Sequence, residues 1–238
     1  MGDTDGDKGD GGSGAAASEG RENRVVIEEV SVAIDRRPLL APVSATVEPG
    51  TCLAVRGENG SGKTTLLRVV AGLLRPSSGR VRIGDQVVDE RLPRTRQQVA
   101  TLLGGSAAYR DLTVWEHLLL IDASWGGDEA SVDHRAGRVL DLLRIEGLAD
   151  RFPHQLSSGQ SHLVDLALVL FRPGDVLVLD EPEQRLDDER RAIVADVLRD
   201  RADAGATVLM ATHDAELTEA VADEVLTLTT ADHEAAGG

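Results

Sequence analysis

Short apolar runs alternate with longer amphipathic stretches between about residue 24 and residue 228. The apolar runs, several of them bounded by glycine or acidic residues, predict strands over 24–34, 51–56, 79–83, 98–103, 175–179, 207–212 and 225–228. The amphipathic stretches predict helices over 63–74, 113–123, 131–146, 158–171, 187–202 and 215–221. This alternation predicts an α/β fold in which helices flank both faces of a largely parallel sheet.

The two ends of the chain differ in composition from the region between them. Residues 1–23 are rich in Gly, Asp and Ser and cannot bury enough apolar surface to offset chain entropy, so we expect them to be disordered. Residues 231–238 have the same character. The remaining residues, 24–230, are predicted to form the folded domain.

Charge and cysteine content narrow the class of protein. The chain has 41 acidic and 25 basic residues and a net charge of −16, which disfavours nucleic-acid partners and anionic lipid surfaces. The single cysteine, Cys52, lies in an apolar run and is predicted to be a small core residue. No run approaches the roughly 18 apolar residues that span a bilayer, and the first residues lack the features of a secretion signal.

Residues 57–64 read GENGSGKT, between a predicted strand and a predicted helix. Glycines at this spacing let backbone N–H groups face inward around phosphates, and the helix N-terminus adds a positive dipole end. Lys63 is expected to reach the β- and γ-phosphates of ATP, and the Thr64 hydroxyl to ligate Mg²⁺. The predicted ATP-binding residues of this loop are Gly57, Glu58, Asn59, Gly60, Ser61, Gly62, Lys63, Thr64 and Thr65.

A second motif, DVLVLDE at 175–181, runs from an apolar strand into two carboxylates. The carboxyl ends of strands form the ligand-binding edge of open α/β sheets. Asp180 is therefore predicted to orient Mg²⁺, and Glu181 to act as the general base on an attacking water. His213 also follows an apolar strand, so we expect its imidazole beside the γ-phosphate.

These motifs resemble those of the nucleotide-binding subunit of an ABC transporter, over roughly residues 25–228. GENGSGKTT is similar to the family's phosphate loop, VLVLDEP to its second phosphate motif, and LSSGQ at 156–160 to its signature. RLD at 185–187 resembles the family's D-loop, His213 its switch histidine, and residues 72–88 its antiparallel strands. The resemblance implies a P-loop ATPase fold with a small antiparallel β subdomain and a helical subdomain over about 97–158.

The resemblance also implies a head-to-tail dimer that encloses two ATP molecules. In such a dimer the signature residues Ser157, Ser158, Gly159 and Gln160 contact the ATP held by the second subunit, which is either an identical or a different chain. A Ser-rich helix start is itself suited to an anion. The resemblance further implies a separate membrane-spanning permease, reached from the cytoplasmic face of the membrane, with a docking surface around 107–115. A surface loop with a core Trp115 is the alternative for that region.

The chain departs from the family pattern at several positions. Ile34 stands where the family usually has an aromatic residue that stacks on adenine. Gly104 or Gly105 stands where it usually has a glutamine, and SHL follows the signature where basic and polar residues are usual. Because Lys63, Asp180, Glu181 and His213 are present, an ATPase is favoured over a degenerate homologue.

Three functions remain open at this stage. The first is a transport ATPase that works with a separate permease. The second is a regulatory subunit that binds ATP with little hydrolysis, which Ile34 and the missing glutamine favour. The third is a member of the family that acts in DNA repair or translation, which the charge and the absence of basic tails oppose. Within the first function, the signature and residues 102–114 most resemble exporter-type cassettes, including haem-exporter-like ones.

Overall fold

The computed structural model of the protein describes residues 22–105 and 108–231. Most of the two segments predicted to be disordered therefore lies outside the described residues. Strand β1 begins at Val25 and the last strand, β9, ends at Leu228.

Five strands form one parallel sheet, as the alternating pattern predicts. They are β3 (Cys52–Gly57), β6 (Val99–Leu102), β7 (Val176–Asp180), β8 (Thr207–Ala211) and β9 (Glu224–Leu228). Their order is β6-β7-β8-β3-β9, and every neighbouring pair is parallel. This arrangement brings the ends of β3, β7 and β8 together at one edge, where three of the predicted motifs begin.

A second sheet of four strands is antiparallel. It contains β1 (Val25–Ile34), β2 (Arg37–Val47), β4 (Ser78–Ile83) and β5 (Gln86–Val87), in the order β2-β1-β4-β5. The sequence pattern did not predict β2, because Pro38 and Pro42 argue against a strand. The strand lies at the edge of its sheet, the position at which a strand tolerates proline.

Seven helices occur in the part of the chain that the structure describes. They are α1 (Lys63–Val70), α2 (Pro93–Gln98), α3 (Val114–Ser124), α4 (Val132–Leu142), α5 (Ser158–Phe171), α6 (Asp188–Asp203) and α7 (Ala215–Val221). Short 3₁₀ turns follow α4 at Glu146–Leu148 and precede α5 at Pro153–Gln155. No described helix has the length and apolarity required to cross a membrane.

Two helices end earlier than the pattern predicts. Helix α1 stops at Val70 because Gly72 has a φ of +76°, a left-handed conformation that ends helices. Helix α4 stops at Leu142, and Arg144 has a φ of +53°. Helix α2 was not predicted at all, since its sequence, PRTRQQ, has no apolar periodicity.

The core lies on both faces of the parallel sheet. Alternate residues of β3 point to opposite sides, with Cys52 and Ala54 in a cluster formed mainly with α3–α6, and Leu53 and Val55 in a cluster with α1 and the antiparallel sheet. The prediction that Cys52 is a core residue is confirmed, and burial raises the pKa of its thiol to about 12. Both faces of the sheet are therefore covered, and ligands reach it only at its ends.

Candidate nucleotide site

The loop between β3 and α1 takes its shape from glycine. Gly62 precedes α1 with a φ of +96°, and a Cβ on it would lie 2.6 Å from the Leu39 carbonyl oxygen. A Cβ on Gly57 would lie 2.6 Å from the Leu228 carbonyl oxygen. Side chains at these two positions would push the loop away from β2 and β9, so the tight turn requires glycine.

Lys63, the first residue of α1, is folded back into this loop. Its ammonium donates hydrogen bonds to the carbonyl oxygens of Gly57 at 2.9 Å and Glu58 at 3.0 Å, and the residue is only 8% exposed. Within the described residues no carboxylate lies at ion-pairing distance from it. The loop thus holds a largely buried positive charge that remains available to a phosphate.

Two oxygen-bearing side chains meet where the loop approaches the end of β7. The Thr64 hydroxyl donates a hydrogen bond of 2.6 Å to Asp180 Oδ2. A hydroxyl and one carboxylate suit Mg²⁺, which keeps several waters and takes its other ligands from phosphates. Among the described residues no three acidic, histidine or cysteine side chains cluster as a metal cage.

Glu181 follows β7 in a left-handed conformation with a φ of +51°, and its N–H donates to the Ala211 carbonyl at 2.8 Å. Its carboxylate accepts a 2.5 Å hydrogen bond from the Gln184 side-chain amide. His213 Nε2 lies 3.9 Å from Glu181 Oε1, beyond hydrogen-bond length. Two side chains therefore flank the candidate general base, one of them through a hydrogen bond.

These residues surround a cavity of about 370 Å³. Its lining contains most of the predicted site residues together with Leu39: Asn59, Gly60, Gly62, Lys63, Thr64, Thr65, Asp180, Glu181 and His213. The other predicted loop residues, Gly57, Glu58 and Ser61, shape the loop without lining the cavity. Ser61 is 1% exposed and its hydroxyl has no hydrogen-bond partner in the described structure.

The signature LSSGQ begins α5 and lies outside this cavity. Ser157 caps the helix, with Gln160 N–H donating to its hydroxyl and the Gln160 side chain accepting from its N–H. Ser157 and Ser158 are exposed. Gly159 is buried against the chain after β7, where a Cβ would lie 2.8 Å from the Arg185 carbonyl oxygen. None of residues 157–160 lines the cavity of their own chain.

A buried carboxyl group supports the loop behind Glu181 and His213. Burial raises the pKa of Glu183, although a hydrogen bond from Thr212 opposes that shift. The Thr212 hydroxyl also accepts a 2.9 Å hydrogen bond from Asp214 N–H. Glu183 therefore joins the segment after β7 to the segment after β8.

Three positions that depart from the family pattern, Ile34, Gly104 and Gly105, do not line the cavity. Ile34 is 52% exposed at the end of β1 and does not line the cavity. Gly104 and Gly105 follow β6, exposed and with left-handed φ of +79° and +74°. Two contributors were not predicted, Leu39 and Gln184. The phosphate motif gives no signal for a residue on β2, and a glutamine three residues after Glu181 could have been noticed.

The predicted docking surface lies beside this region, and residue 107 is outside the described residues. A groove of about 690 Å³ contains Leu103, Gly104, Tyr109 and Leu120 in its lining, whereas Trp115 packs against the core. Buried His117 accepts a 2.7 Å hydrogen bond from Tyr109 N–H and so fixes the groove's edge.

Comparisons with known proteins agree with this geometry. A family model described as "ABC transporter" matches residues 40–184. A protein of Salmonella paratyphi A, PhnT, assigned provisionally as a 2-aminoethylphosphonate import ATP-binding protein, is 35% identical over 213 residues. This match covers 89% of the chain and 57% of PhnT. The sulfate/thiosulfate import ATP-binding protein CysA of Mesorhizobium japonicum is 35% identical over 209 residues, covering 86% of this chain and 60% of CysA.

Another relative carries the name of an exporter. The Nod factor export ATP-binding protein I of Cupriavidus metallidurans is 32% identical over 167 residues, covering 70% of this chain and 55% of that protein. The chain thus spans little more than half the length of these relatives. Because import and export both occur among these names, they do not support the prediction of an exporter-like cassette.

A solved structure has the same fold. The structure titled "Structure of ATP binding subunit of ABC transporter" superposes with a TM-score of 0.78 at 25% identity, covering 86% of this chain and 85% of that one. The predicted α/β fold with its parallel and antiparallel sheets is confirmed.

Proposed function

This chain belongs to the ABC transporter family of ATP-binding subunits, and we propose that it hydrolyses ATP in a head-to-tail dimer to power a membrane-spanning permease. One observation carries the proposal. Lys63, Thr64, Asp180, Glu181 and His213 line a single cavity, while the exposed signature serines begin a helix outside it. The chain therefore carries a phosphate cradle and a second anion-binding helix start that does not serve that cradle.

Each side chain of the cradle has a distinct task in this proposal. Lys63 and the loop N–H groups bind the β- and γ-phosphates and orient them. Thr64 and Asp180 would hold Mg²⁺, which would supply positive charge to neutralise the phosphates. Glu181 accepts a proton from the attacking water, and the neighbouring His213 donates to the γ-phosphate.

Dimerisation completes the site. Ser157 and Ser158 are exposed at the N-terminus of α5, where hydroxyls and free N–H groups can reach a phosphate on another chain. A head-to-tail pair of identical chains places two signatures over two cradles. A different ATP-binding subunit could occupy the second position with the same geometry.

The energy of ATP binding is proposed to act on a separate permease. The names of the relatives describe ATP-binding proteins of import and export, which supports a role beside a membrane-spanning component. We place the permease contact at the groove beside Gly104 and Tyr109, and the chain at the cytoplasmic face of the membrane. Exposed Tyr109, at 62%, offers an apolar contact at the groove's rim.

A second candidate is a regulatory subunit that binds ATP with little turnover. Gly104 and Gly105 favour it, because neither has a side chain to hold a water or Mg²⁺ in the site. The intact Glu181 and its hydrogen bond with Gln184 favour hydrolysis.

Mg²⁺-dependent ATP hydrolysis by the purified full chain, over a range of protein concentrations, tests the proposal. We expect the rate per chain to rise with concentration and to fall at least about 100-fold in Glu181→Gln, which removes the general base. Glu219→Gln, an exposed substitution of the same kind on α7, should leave the rate unchanged. ATP binding without hydrolysis, also in the presence of the permease, would support the regulatory candidate instead.

A further inference from the structure

A second cavity lies at the opposite edge of the parallel sheet. It has a volume of about 550 Å³ and lies between the helices α3–α5 on one side and α6 on the other. Asp175, the residue before β7, forms part of its wall, whereas Asp180 at the other end of β7 lines the nucleotide cavity. Five residues of strand at about 3.3 Å each separate the two cavities by about 17 Å. The second cavity is therefore independent of the nucleotide site.

Arginines dominate the polar lining of this cavity. Arg135 forms a 2.5 Å ion pair with Asp122 and is neutralised by it. Apart from that pair, the lining contains three arginines, Arg138, Arg172 and Arg201, and one carboxylate, Asp175. None of the three has an ion pair with a carboxylate in the part of the chain that the structure describes. An excess of positive charge is thus concentrated here in a chain whose net charge is −16.

Two of these guanidinium groups are partly desolvated. Arg172 lies over the ring of Trp125, 4.9 Å from its centroid, and its Nη2 donates a 3.1 Å hydrogen bond to the Arg96 carbonyl oxygen. Its Nε atom is buried without a partner in the described structure. Burial lowers the pKa of Arg172. Arg201 Nε is likewise buried and unpartnered. The negative end of the helix dipole favours a cation in the last turn of α6. This effect accounts for the position of Arg201 but not for those of Arg138 and Arg172.

The rest of the wall is apolar. Trp125, Phe171, Val139 and Leu170 contribute to it, and Arg135 lies over the Phe171 ring at 5.6 Å. The two ring contacts hold guanidinium groups in place before any ligand arrives. An apolar wall with a few convergent polar groups is the usual composition of a small-molecule site.

From this cavity, its three arginines without a carboxylate partner in the described structure and its aromatic wall, we infer a binding site for an organic anion with an apolar body. The carboxylate or phosphate of the ligand lies among Arg138, Arg172 and Arg201, and its apolar part against Trp125 and Phe171. Guanidinium groups bind carboxylate and phosphate in the same bidentate manner. The inference does not rest on the proposed hydrolysis, because the two cavities share no residue.

The chain offers its own reporter for a test. Its two tryptophans are Trp115 and Trp125, and only Trp125 lines the cavity, so Trp115→Phe leaves a single fluorophore at the site. The probe is 4-phenylbutyrate, a carboxylate that carries no phosphate for the nucleotide loop, and 4-phenylbutanol is its neutral counterpart. We expect saturable fluorescence change with 4-phenylbutyrate at a Kd of about 0.1–1 mM, and binding at least about tenfold weaker for the alcohol.

Matched charge changes then locate the anion. Arg138→Gln/Arg201→Gln should weaken binding of 4-phenylbutyrate about tenfold or more, and the corresponding lysine pair should restore part of it. Arg75→Gln/Arg151→Gln removes the same charge from exposed positions outside this lining and should change the Kd less than about twofold. Excess MgADP should not displace the probe.

Three results would overturn the inference. They are the lack of saturable binding by the folded chain, equal binding of the acid and the alcohol, and equal weakening by the two glutamine pairs. Thermal unfolding of each variant distinguishes lost binding from lost folding.

Discussion

The side-chain amide of Gln184 donates a 2.5 Å hydrogen bond to Glu181 Oε2, which fixes one oxygen of the candidate general base. The 3.9 Å separation of His213 from the other oxygen leaves that oxygen free to accept from water. Glu181 itself has a left-handed backbone, which any non-glycine residue adopts at some cost. The hydrogen bond and the backbone together restrict the carboxylate to one orientation.

We expect Gln184→Ala to lower kcat for ATP hydrolysis about threefold to thirtyfold while the KM for ATP changes little, because the carboxylate loses its orientation but no phosphate contact is lost. Steady-state kinetics at saturating Mg²⁺ measure both constants. Gln97→Ala, an exposed glutamine before β6, is the control. A rise in KM with an unchanged kcat would contradict a positioning role for Gln184.

The Thr64–Asp180 hydrogen bond predicts how the site depends on Mg²⁺. Asp180→Asn removes the charged ligand, so we expect the Mg²⁺ concentration for half-maximal hydrolysis to rise about tenfold or more. Thr64→Ser keeps the hydroxyl and should resemble the wild type, whereas Thr64→Val should not. Binding of ATP in EDTA, followed by a fluorescent analogue, should be similar in all four proteins. A metal requirement that is the same in Asp180→Asn and the wild type would exclude Asp180 as a ligand.

The sequence pattern predicted the parallel core and the glycine-rich loop between β3 and α1 with little error, for a physical reason. Strands such as β7 are buried on both faces and therefore read as continuous apolar runs, and a phosphate loop requires glycines at fixed positions. Helix α5 was predicted with the bounds it has, because Ser157 and Gln160 form a capping box that marks its start.

The parts that were missed depend on contacts distant in sequence. Strand β2 contains two prolines and becomes a strand through its partner β1. Leu39 joins the nucleotide cavity only because β2 crosses α1, and Gln184 acts through a turn whose shape depends on the left-handed residues Glu181 and Arg185. Such relations leave no periodic signal in the sequence.

Gly62 and Gly60 provide a matched pair for the stability of the phosphate loop. Both have positive φ, +96° and +85°, but only at Gly62 would a Cβ meet a backbone atom, the Leu39 oxygen at 2.6 Å. We expect Gly60→Ala to cost about 1 kcal/mol from backbone strain alone. Gly62→Ala should cost about 2–4 kcal/mol and abolish ATP binding, since the loop must leave β2. Thermal unfolding, at about 2–4 °C per kcal/mol, measures the difference. Equal effects of the two substitutions would mean that the contact with Leu39 does not determine the loop.

Glu183 predicts a pH dependence of stability. Burial raises its pKa above the ordinary value of 4.5, so the folded protein favours the protonated carboxyl group. Its contribution to stability is therefore fully present below the unfolded-state pKa and decreases as the pH rises through the folded-state pKa. Glu183→Gln keeps an acceptor for Thr212 and removes the charge, so its Tm should exceed that of the wild type at pH 7. The difference should vanish near pH 4, where the wild-type carboxyl group is neutral.

The control for Glu183 is Glu219→Gln, whose side chain is exposed on α7. Its Tm should follow that of the wild type across the same pH range. If Glu183→Gln were less stable than the wild type at pH 7, the carboxylate would be stabilised by partners that outweigh its burial.

The exposed signature predicts that two inactive chains can restore each other. Glu181→Gln lacks the general base but keeps an intact signature, and Ser158→Arg keeps the cradle but blocks the signature. In a head-to-tail dimer of the two, the cradle of the Ser158→Arg chain meets the signature of the Glu181→Gln chain, and one complete site forms. In an equal mixture, about half of the dimers contain one chain of each variant, and one of the two sites in each such dimer is complete. We therefore expect about a quarter of the wild-type hydrolysis rate.

The control for this experiment is the chain that carries both substitutions, mixed with either single variant. In the mixture with Glu181→Gln, every chain lacks the general base. In the mixture with Ser158→Arg, every chain has a blocked signature. Neither mixture can therefore form an intact cradle opposite an intact signature. Both mixtures should therefore be inactive. Because Ser157 and Ser158 lie outside the cavity of their own chain, recovery in the first mixture alone requires that they act on a second chain. An absence of recovery, with dimers demonstrated by sedimentation in ATP, would contradict the shared site and leave LSSGQ as a helix cap.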